Sequence, residues 1–447
     1  MDAEAHGRLG AQRVEQARKL QGAAMSRRQN RFAEALALYR EALQNFRAAA
    51  AERPASAQAH RSCGVVLREL GELEQARASF AEAWRLAPRD AAVAADYAQS
   101  LQAVGDTAGA TRVYEEALRA HPGDAALHAA FALTLLGSGE FARGWDEYEW
   151  RLRAPEAGIE RPFPFPRWQG EPLAGRTLLV YSEQGIGDEI MFASCFEELI
   201  AAAAHCVLEV STRLAPLVRR SFPRATVFAR NLARQPEWSQ LPPIDLCAAA
   251  GSAPRFLRRT REAFARREAF LRPDPERVAH WRARLAAAGP GRKVGLAWTG
   301  GLPGTLRAAR SLALPDLAPL ASGADDVFVA LEFLDCAREV EAFNQDGAGR
   351  VHWWPEAVQT IDETAAILAA LDLVVTVTTA TAHLAAALGR PTWVLVPSVP
   401  SWRYLWEGER TPWYPAMRIF RGHGSRAAVV AQARDALRSA GTACLAG

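Results

Sequence analysis

The chain has 447 residues, 49% of them hydrophobic and 23% charged, and a net charge of +3. This length predicts roughly two to four domains, each with its own core, and the small charge argues against nucleic acid or a membrane surface as the main partner. No apolar run reaches the length of a transmembrane segment, and the N-terminus lacks the apolar core of a signal peptide, so we expect a cytoplasmic location. The six scattered cysteines form no CxxC pair, which argues against a disulfide framework or a zinc site.

The first third of the chain repeats every 34 residues. The recurring positions are Pro54, Pro88 and Pro122, the glycines Gly71, Gly105 and Gly139, the small residues Gly64, Ala98 and Ala132, and the aromatics Phe80, Tyr114 and Tyr148. This pattern resembles the tetratricopeptide repeat, a pair of helices joined at a turn glycine. An earlier unit, with Asn30 at its turn, is offset by 41 residues, and the seven extra residues predict a helix two turns longer. We predict about four repeats within residues 1–155. Such repeats usually form a groove for a protein or peptide. The alternative is that they only cap or dimerise the rest.

After a Pro- and Gly-rich linker, residues 156–175, short β-rich runs alternate with helical stretches. The predicted strands are RTLLVY, HCVLEVS, ATVFAR and DLCAAA in a first lobe, residues 176–275, and KVGLAWTGG, DVFVALE, LDLVVTVTT and TWVLVP in a second, residues 276–447. This alternation predicts two Rossmann-like α/β lobes with a ligand cleft between them. Residues 255–289 are predicted to be mostly helical, and a final helix at about Arg426–Ser439 is predicted to pack across the lobes.

Three segments carry a resemblance to known families. They are WQGEPLAGRTLLVYSEQGIGDEIMFASCF, DETAAILAALDLVVTVTTATAHLAAALGRPTWVLVP and SWRYLWEGERTPWYPAMRIFR. They resemble bacterial proteins that join tetratricopeptide repeats to a glycosyltransferase domain. The catalytic part is similar to the ADP-heptose-type heptosyltransferases, and more distantly to O-linked N-acetylglucosamine transferases. The resemblance implies a glycosyltransferase B fold in which the first lobe receives the acceptor and the second holds a nucleotide-diphosphate sugar, with no obligatory metal or other cofactor.

The glycine-rich corner after the first strand supplies the acceptor-side candidates. Gly185 and Gly187 allow a ligand to approach the backbone closely, and Glu183 and Gln184 precede them on the same side of the cleft. The heptosyltransferases carry their proposed catalytic aspartate in a matching Gly-Asp step, which implies Asp188 as the general base. Glu183 and Glu189 are further candidates for that base. The alternative for Asp188 is a helix cap.

The second lobe supplies the donor-side candidates. A buried strand leads into a helix start at Thr378, Thr379 and Ala380, where free N–H groups and the positive dipole end suit a diphosphate. The remaining donor-side candidates are His383, which the heptosyltransferase motif also has, Thr299 and Gly300 in a glycine-containing loop, Arg310 for the diphosphate, and Glu332 for the nucleoside. The aromatic residues Trp402, Trp413 and Tyr414 are interpreted mainly as core between the lobes.

Two positions depart from the pattern of the resembled sequences. Thr378 stands where they generally have an aspartate that contacts the donor sugar, and Ser401 stands where they tend to have another. The first departure puts donor identity and activity in question.

The predicted function is a metal-independent glycosyltransferase acting on a protein or peptide held by the repeats. The alternatives are a non-catalytic scaffold with a degenerate transferase domain, or a heptosyltransferase-like enzyme with a saccharide acceptor.

Overall fold

The structure is a computed structural model that describes residues 2–26, 31–154, 161, 163–230, 241–264, 267–301, 307–321, 325–347, 349–396, 401–423 and 425–439. Its N-terminal part consists of helices that pack in consecutive pairs. The pairs are α1 (Ala3–Ser26) with α2 (Phe32–Glu52), α3 (Ala57–Leu70) with α4 (Leu73–Leu86), α5 (Ala91–Ala103) with α6 (Thr107–Ala120), and α7 (Ala125–Gly137) with α8 (Phe141–Tyr148). A 3-10 turn, Glu149–Arg153, follows α8.

The repeat positions do what their spacing predicts. Gly71, Gly105 and Gly139 have φ angles of 82°, 93° and 83°, which glycine adopts without strain. A Cβ atom on Gly64 would lie 2.8 Å from the Phe80 ring, so this position needs a residue without a side chain. Helix α2 has 21 residues and α4 has 14, which confirms the predicted lengthening. The predicted turn residue Asn30 lies outside the described residues.

The first lobe contains a four-stranded parallel sheet. Its strands are β1 (Thr177–Tyr181), β2 (His205–Val210), β3 (Thr226–Ala229) and β4 (Leu246–Ala249), in the order β3-β2-β1-β4. Its helices are α9 (Ile186–Ala193), α10 (Phe196–Ala202), α11 (Ala215–Ser221) and α12 (Ala253–Leu257). The strand order reverses between β1 and β4, and such a reversal opens a crevice at the carboxyl ends of the strands.

The second lobe contains a six-stranded parallel sheet. Its strands are β5 (Lys293–Ala297), β6 (Val327–Ala330), β7 (Val351–Trp353), β8 (Leu373–Thr376), β9 (Thr392–Val396) and β10 (Met417–Arg421), in the order β10-β9-β8-β5-β6-β7. Its helices are α13 (Pro275–Ala288), α14 (Arg307–Arg310), α15 (Ala318–Ala321), α16 (Ala337–Gln345), α17 (Ile361–Ala370), α18 (Ala380–Ala387) and α19 (Arg426–Ser439). The order reverses between β5 and β8.

The predicted fold class is confirmed: an all-α repeat region precedes two Rossmann-like α/β lobes. All eight predicted strands form, whereas β7 and β10 were not predicted. The prediction of a mostly helical link was wrong for residues 258–274, where the described residues form turns and irregular backbone. Helix α19 forms at the predicted residues, but its main contacts are with α15, β9 and β10 of the second lobe, so the prediction that it packs across the lobes was wrong. The domain boundaries stay predictions, although in the predicted linker the Trp168 N–H donates to the Cys247 carbonyl of β4 and the Pro166 carbonyl accepts the Cys247 N–H.

One hydrophobic core joins the last repeat to both lobes. Trp145 of α8 is 1% exposed, and its indole N–H donates to the Arg258 carbonyl at 2.9 Å. Its ring meets those of Trp402 and Trp413 edge-on, with centroids 5.8 and 6.1 Å away. The interpretation of these two tryptophans as core is therefore consistent with their burial. None of the described helices combines the length and apolar character needed to cross a membrane.

Candidate functional site

The carboxyl ends of β5 and β8 meet at the strand reversal of the second sheet. Thr299 and Gly300 follow β5, while Thr378 and Thr379 follow β8 and lead into α18 at Ala380. Thr379 occupies the N-cap position without a side-chain capping bond, so the first N–H groups of α18 are not satisfied in that way. The predicted donor-side residues thus lie together where open parallel sheets bind ligands.

Arg310 joins α14 to this strand end. Its Nε donates to the Thr378 hydroxyl at 2.8 Å, and its Nη2 donates to the Thr378 carbonyl. Thr378 is 2% exposed, and burial lowers the pKa of Arg310. A neutral hydroxyl therefore contacts this guanidinium at the position where the resembled sequences generally place a carboxylate.

Gly300 lets α14 approach the strand end closely. A Cβ atom at this position would lie 2.8 Å from the Arg310 carbonyl oxygen. The Gly300 N–H donates to the Ser311 hydroxyl at 2.9 Å, and the Leu312 N–H donates to the Trp298 carbonyl at 2.9 Å. A larger residue at position 300 would displace the segment that carries Arg310.

Glu332 lies beneath the same loop. Its Oε1 accepts the backbone N–H groups of Trp298 at 2.6 Å and Thr299 at 2.8 Å. Burial raises the pKa of Glu332 to about 7, although these two hydrogen bonds act in the opposite direction. Glu332 therefore orders the loop after β5 in the described structure.

His383 is held by two tyrosines. Its Nδ1 lies 3.0 Å from the Tyr414 hydroxyl, and its Nε2 lies 3.2 Å from the Tyr404 hydroxyl. Burial, with the nearby charges of Arg403 and Arg310, lowers the pKa of His383 to about 3. A neutral imidazole with both nitrogens in hydrogen bonds supports the packing of α18 against residues 404–414.

Asp188 lies across the cleft in the first turn of α9. The helix begins at Ile186 with Gly185 at the N-cap, so Asp188 does not fill the N-cap position. Its Oδ1 accepts from Arg403 Nε at 2.7 Å and also from Nη2. Burial disfavours the charge on Arg403, but Asp188 together with Tyr148 and Tyr404 outweighs that effect, and the pKa of Arg403 is raised. This ion pair connects the two lobes.

The proposed acceptor and donor loops touch one another. A Cβ atom on Gly187 would lie 3.3 Å from Cδ2 of His383 and 3.5 Å from Cα of Ala380. The start of α9 therefore packs against the first turns of α18, and glycine makes that approach possible. The structure brings Gly187, Asp188 and the Thr378–His383 segment into one place.

The remaining acceptor-side residues face the repeat region. Glu183 forms a bidentate pair with Arg151, with oxygen–nitrogen distances of 2.6 and 2.8 Å, and both side chains are under 5% exposed. Gln184 donates to the Tyr148 hydroxyl at 2.6 Å. Both residues thus join the end of the repeats to the first lobe.

Glu189, another candidate for the general base, contacts residues other than Arg403. It accepts the Ser211 N–H at 2.8 Å and lies 3.6 Å from Arg230. Burial raises the pKa of Glu189. Its contacts place it at the carboxyl ends of β2 and β3, inside the first lobe.

Arg403 is the residue of this candidate site to which the sequence analysis gave no role. Its Nη1 donates to the Ser401 hydroxyl at 3.0 Å, and its guanidinium also lies over the Trp402 ring. Asp188 and Arg403 are 215 positions apart, and only their place in two resembled motifs gave a signal. Both departures from the resembled pattern, Thr378 and Ser401, therefore put a hydroxyl against an arginine.

Comparison with known proteins gives one curated relative and several structural likenesses. The chain is 39% identical to Protein FlbA of Caulobacter vibrioides over 268 residues. This matched region covers 57% of the chain and 44% of FlbA. The matched region thus spans less than half of that relative. No family model matches the chain.

Three solved structures are similar to all or part of this chain. The E. coli ADP-heptose lps heptosyltransferase II is 15% identical, with a TM-score of 0.42 over 59% of this chain and 98% of that one. A Thermobaculum terrenum O-GlcNAc transferase mutant is 14% identical, with a TM-score of 0.31 over 96% of this chain and 93% of that one. MamA is 18% identical, with a TM-score of 0.25 over 33% of this chain and 81% of that one. At these identities the likenesses assign no role to any residue.

Proposed function

We propose that the chain is a glycosyltransferase that moves a sugar from a nucleotide-diphosphate sugar to an acceptor presented by the repeats. The observation that carries this proposal is the charge at the cleft. Arg310 contacts Thr378 at the start of α18, and Arg403 lies at the same cleft, where Asp188 is its carboxylate partner among the described residues. Partly buried positive charge beside the start of α18 suits a diphosphate, because an anion offsets the cost of burying it.

In the proposed reaction the diphosphate binds at the start of α18 and to Arg310. Arg403 turns from Asp188 to the phosphate oxygens, and Asp188 Oδ1 becomes available to an acceptor hydroxyl. The acceptor oxygen forms a bond to the anomeric carbon as the bond from that carbon to the phosphate oxygen breaks. The acceptor proton passes to Asp188, and the electron pair of the broken bond stays on the diphosphate, which the two arginines stabilise.

The chain's own cations supply the charge stabilisation in this scheme, so no metal is required. The repeats provide the acceptor surface, because their last turn, Glu149–Arg153, holds the loop that leads to Asp188 through Arg151 and Glu183. A protein or peptide acceptor in the repeat groove is therefore the finer proposal. A saccharide acceptor is the other outcome of the same assay.

Incubation with a panel of nucleotide-diphosphate sugars tests the reaction, with release of nucleoside diphosphate as the readout. Asp188→Asn should lower turnover about 100-fold or more, because it removes the general base. Arg310→Met should weaken nucleoside diphosphate binding about tenfold, as expected for loss of a charge-assisted hydrogen bond. Chelation of divalent metals should leave turnover unchanged.

Matched controls separate chemistry from folding. Asp146→Asn removes another ion-paired aspartate, which contacts Arg255 and Arg259 on the surface, and it should leave turnover unchanged. Arg418→Met is the control for Arg310→Met: it removes an arginine that pairs with Glu409 at the edge of the second sheet, and it should leave nucleoside diphosphate binding unchanged. If no sugar is released or transferred by the unaltered chain, or if Asp188→Asn behaves like Asp146→Asn, the enzymatic proposal is wrong.

A non-catalytic scaffold is the second candidate, and the closed inner end of the cleft favours it. Asp188 Oδ1 is occupied by Arg403, and Gly187 packs directly against Ala380. A scaffold should bind no nucleoside diphosphate, and Asp188→Asn should then affect stability alone. Isothermal titration calorimetry with UDP, GDP and ADP distinguishes the two candidates.

A further inference from the structure

Helix α14 lies between the repeat region and the proposed diphosphate site. It contains only Arg307, Ala308, Ala309 and Arg310. The first and last of these are neighbours one helical turn apart, but their long side chains contact different parts of the molecule, Phe32 and Thr378. One short element therefore touches both parts of the molecule.

The repeat side of α14 is defined by Phe32 and Gly71. The Arg307 guanidinium carbon lies 4.8 Å from the centre of the Phe32 ring at the start of α2, within the range of a cation–π interaction. Arg307 is 5% exposed, and among the described residues its Nε has no hydrogen-bond partner. A Cβ atom on Gly71 would lie 3.5 Å from Cβ of Ala308, so the repeat turn packs against the same helix.

The site side of α14 is defined by Arg310 and by the residues that follow it. Arg310 holds the hydroxyl and carbonyl of Thr378. The Ser311 N–H closes the helix on the Arg307 carbonyl at 3.0 Å, and the Leu312 N–H donates to Trp298. Movement of Arg307 therefore moves Arg310, because the two share one turn of backbone.

We propose that the repeat region positions the diphosphate-binding arginine: Phe32 and Arg307 hold α14 so that Arg310 faces the end of β8. This inference rests on the proposed function and deepens it. Arg307 and Phe32 are positioning residues, since they act through Arg310. The first repeats thus contribute to the donor site as well as to the acceptor groove.

Calorimetric titration of the full chain with UDP, GDP and ADP tests this positioning in a double-mutant cycle. Phe32→Ala should weaken nucleoside diphosphate binding about tenfold in the unaltered chain and leave it unchanged in an Arg310→Met background. Phe46→Ala is the matched control, because Phe46 is also in α2 but packs against Gly10 of α1. It should destabilise the repeats without changing nucleotide affinity.

The inference is overturned if Phe32→Ala costs the same affinity in both backgrounds, or if Phe46→Ala costs as much as Phe32→Ala. If Phe32→Ala does not fold, Phe32→Leu keeps the apolar volume and removes the aromatic face, and it replaces Phe32→Ala in the cycle. A chain that binds none of the three nucleotides contradicts the proposed function instead. Hydrogen exchange of the Ser311 and Leu312 amides then decides the positioning: faster exchange in Phe32→Ala than in Phe46→Ala supports it, and equal exchange overturns it.

Discussion

At the scale of single residues, hydroxyl partners of Arg310 and Arg403 affect the charge of the cleft, in addition to the Asp188 carboxylate that pairs with Arg403. Thr378 and Ser401 accept hydrogen bonds from these arginines where the resembled sequences generally carry aspartate. A hydroxyl satisfies a donor without cancelling its charge. The cleft therefore keeps positive charge that two carboxylates would otherwise neutralise.

This difference in charge predicts the effect of restoring an acid. Thr378→Asp should weaken nucleoside diphosphate binding about tenfold, because the new carboxylate competes with the phosphate for Arg310. In Thr378→Asn the side chain has nearly the same shape as in Thr378→Asp but carries no charge, so this variant should retain its affinity for nucleoside diphosphate. Equal or tighter binding by the aspartate variant, measured by calorimetry, would contradict the role given to the charge.

Glu332 makes folding depend on pH. Its pKa is about 7 in the folded chain against an ordinary value of 4.5, so between these pH values the folded chain keeps a proton that the unfolded chain has lost. Stability then falls as pH rises, by about 3 kcal/mol across the window. Glu332→Gln keeps an oxygen for the two backbone donors and cannot ionise. In urea unfolding, the free energy of unfolding of the variant relative to that of the unaltered chain should be higher at pH 8 than at pH 5.

His383 acts with the opposite sign. Its pKa is about 3 when folded and 6.5 ordinarily, so below pH 6.5 the unfolded chain binds a proton that the folded chain does not. Stability from this group is complete above that value and is lost as pH falls toward 3. His383→Gln should therefore be less costly at pH 4 than at pH 7 in the same unfolding measurement. A cost that does not change with pH would show that the imidazole is not kept neutral by burial.

The candidate site was predictable where its residues share one local motif. Gly187 and the segment from Thr378 to Ala380 were chosen from strand-to-helix corners, whereas Asp188 and His383 were chosen with the help of the family resemblance, and the structure brings these residues together. The pairing of Asp188 with Arg403 was not predictable, because it depends on how two lobes pack across 215 positions of sequence. For the same reason nothing local indicated that Glu183 would be occupied by Arg151.

At the scale of elements, helix α7 is joined to the second lobe through Gly137. The Trp406 N–H donates to the Gly137 carbonyl at 2.9 Å, and its indole N–H donates to the Thr134 carbonyl at 3.0 Å. A Cβ atom on Gly137 would lie 2.0 Å from the Trp406 ring. The joint therefore depends on the absence of a side chain at this position.

Gly137→Ala should destabilise the chain by about 1–3 kcal/mol through overpacking. Gly123→Ala is the control, because no atom lies within 4 Å of its Cβ position. Adding Trp406→Ala to the Gly137 variant should cost less than Trp406→Ala costs alone, since the clash is then absent. Strict additivity in denaturant unfolding would contradict a direct contact.

The elements that sequence reasoning missed are those decided by tertiary contacts. The eight predicted strands are short apolar runs of the kind typical of parallel sheets, and such runs can be recognised in the sequence. Strand β7 has three residues, and β10 interrupts its apolar run with Arg418, so neither has that signature. Residues 258–274 have helical composition, but the buried Arg258 side chain pairs with the half-buried Glu198 at 2.6 Å. Tertiary packing there overrides local propensity.

At the scale of the whole molecule, the last repeat belongs to the core of the lobes. Residues of α7 and α8 share one hydrophobic cluster with both lobes, whereas α1–α4 form a separate cluster. We therefore expect native-state hydrogen exchange of α7 and α8 to follow the lobes, and that of α1–α4 to show a lower opening free energy. Equal protection of all four helix pairs would contradict this division.

Arg151→Ala tests whether α7 and α8 unfold together with the first lobe. It leaves Glu183 buried without its cation, which should cost about 3–5 kcal/mol and speed exchange in α7, α8 and the first lobe together. Arg85→Ala removes an exposed pair with Glu82 in α4 and should change nothing measurable. If Arg151→Ala affected the first lobe alone, the last repeat would not be part of that unfolding unit.

The contacts at both ends of the repeat array have a further consequence. A free solenoid can gain or lose units, because each unit contacts only its neighbours. Here Phe32 and Gly71 meet α14 near one end, and Gly137 meets Trp406 near the other. Inserting or deleting a 34-residue unit between them would carry one end away from its partner. The number of repeats between these two contacts is thus a fixed dimension of this molecule.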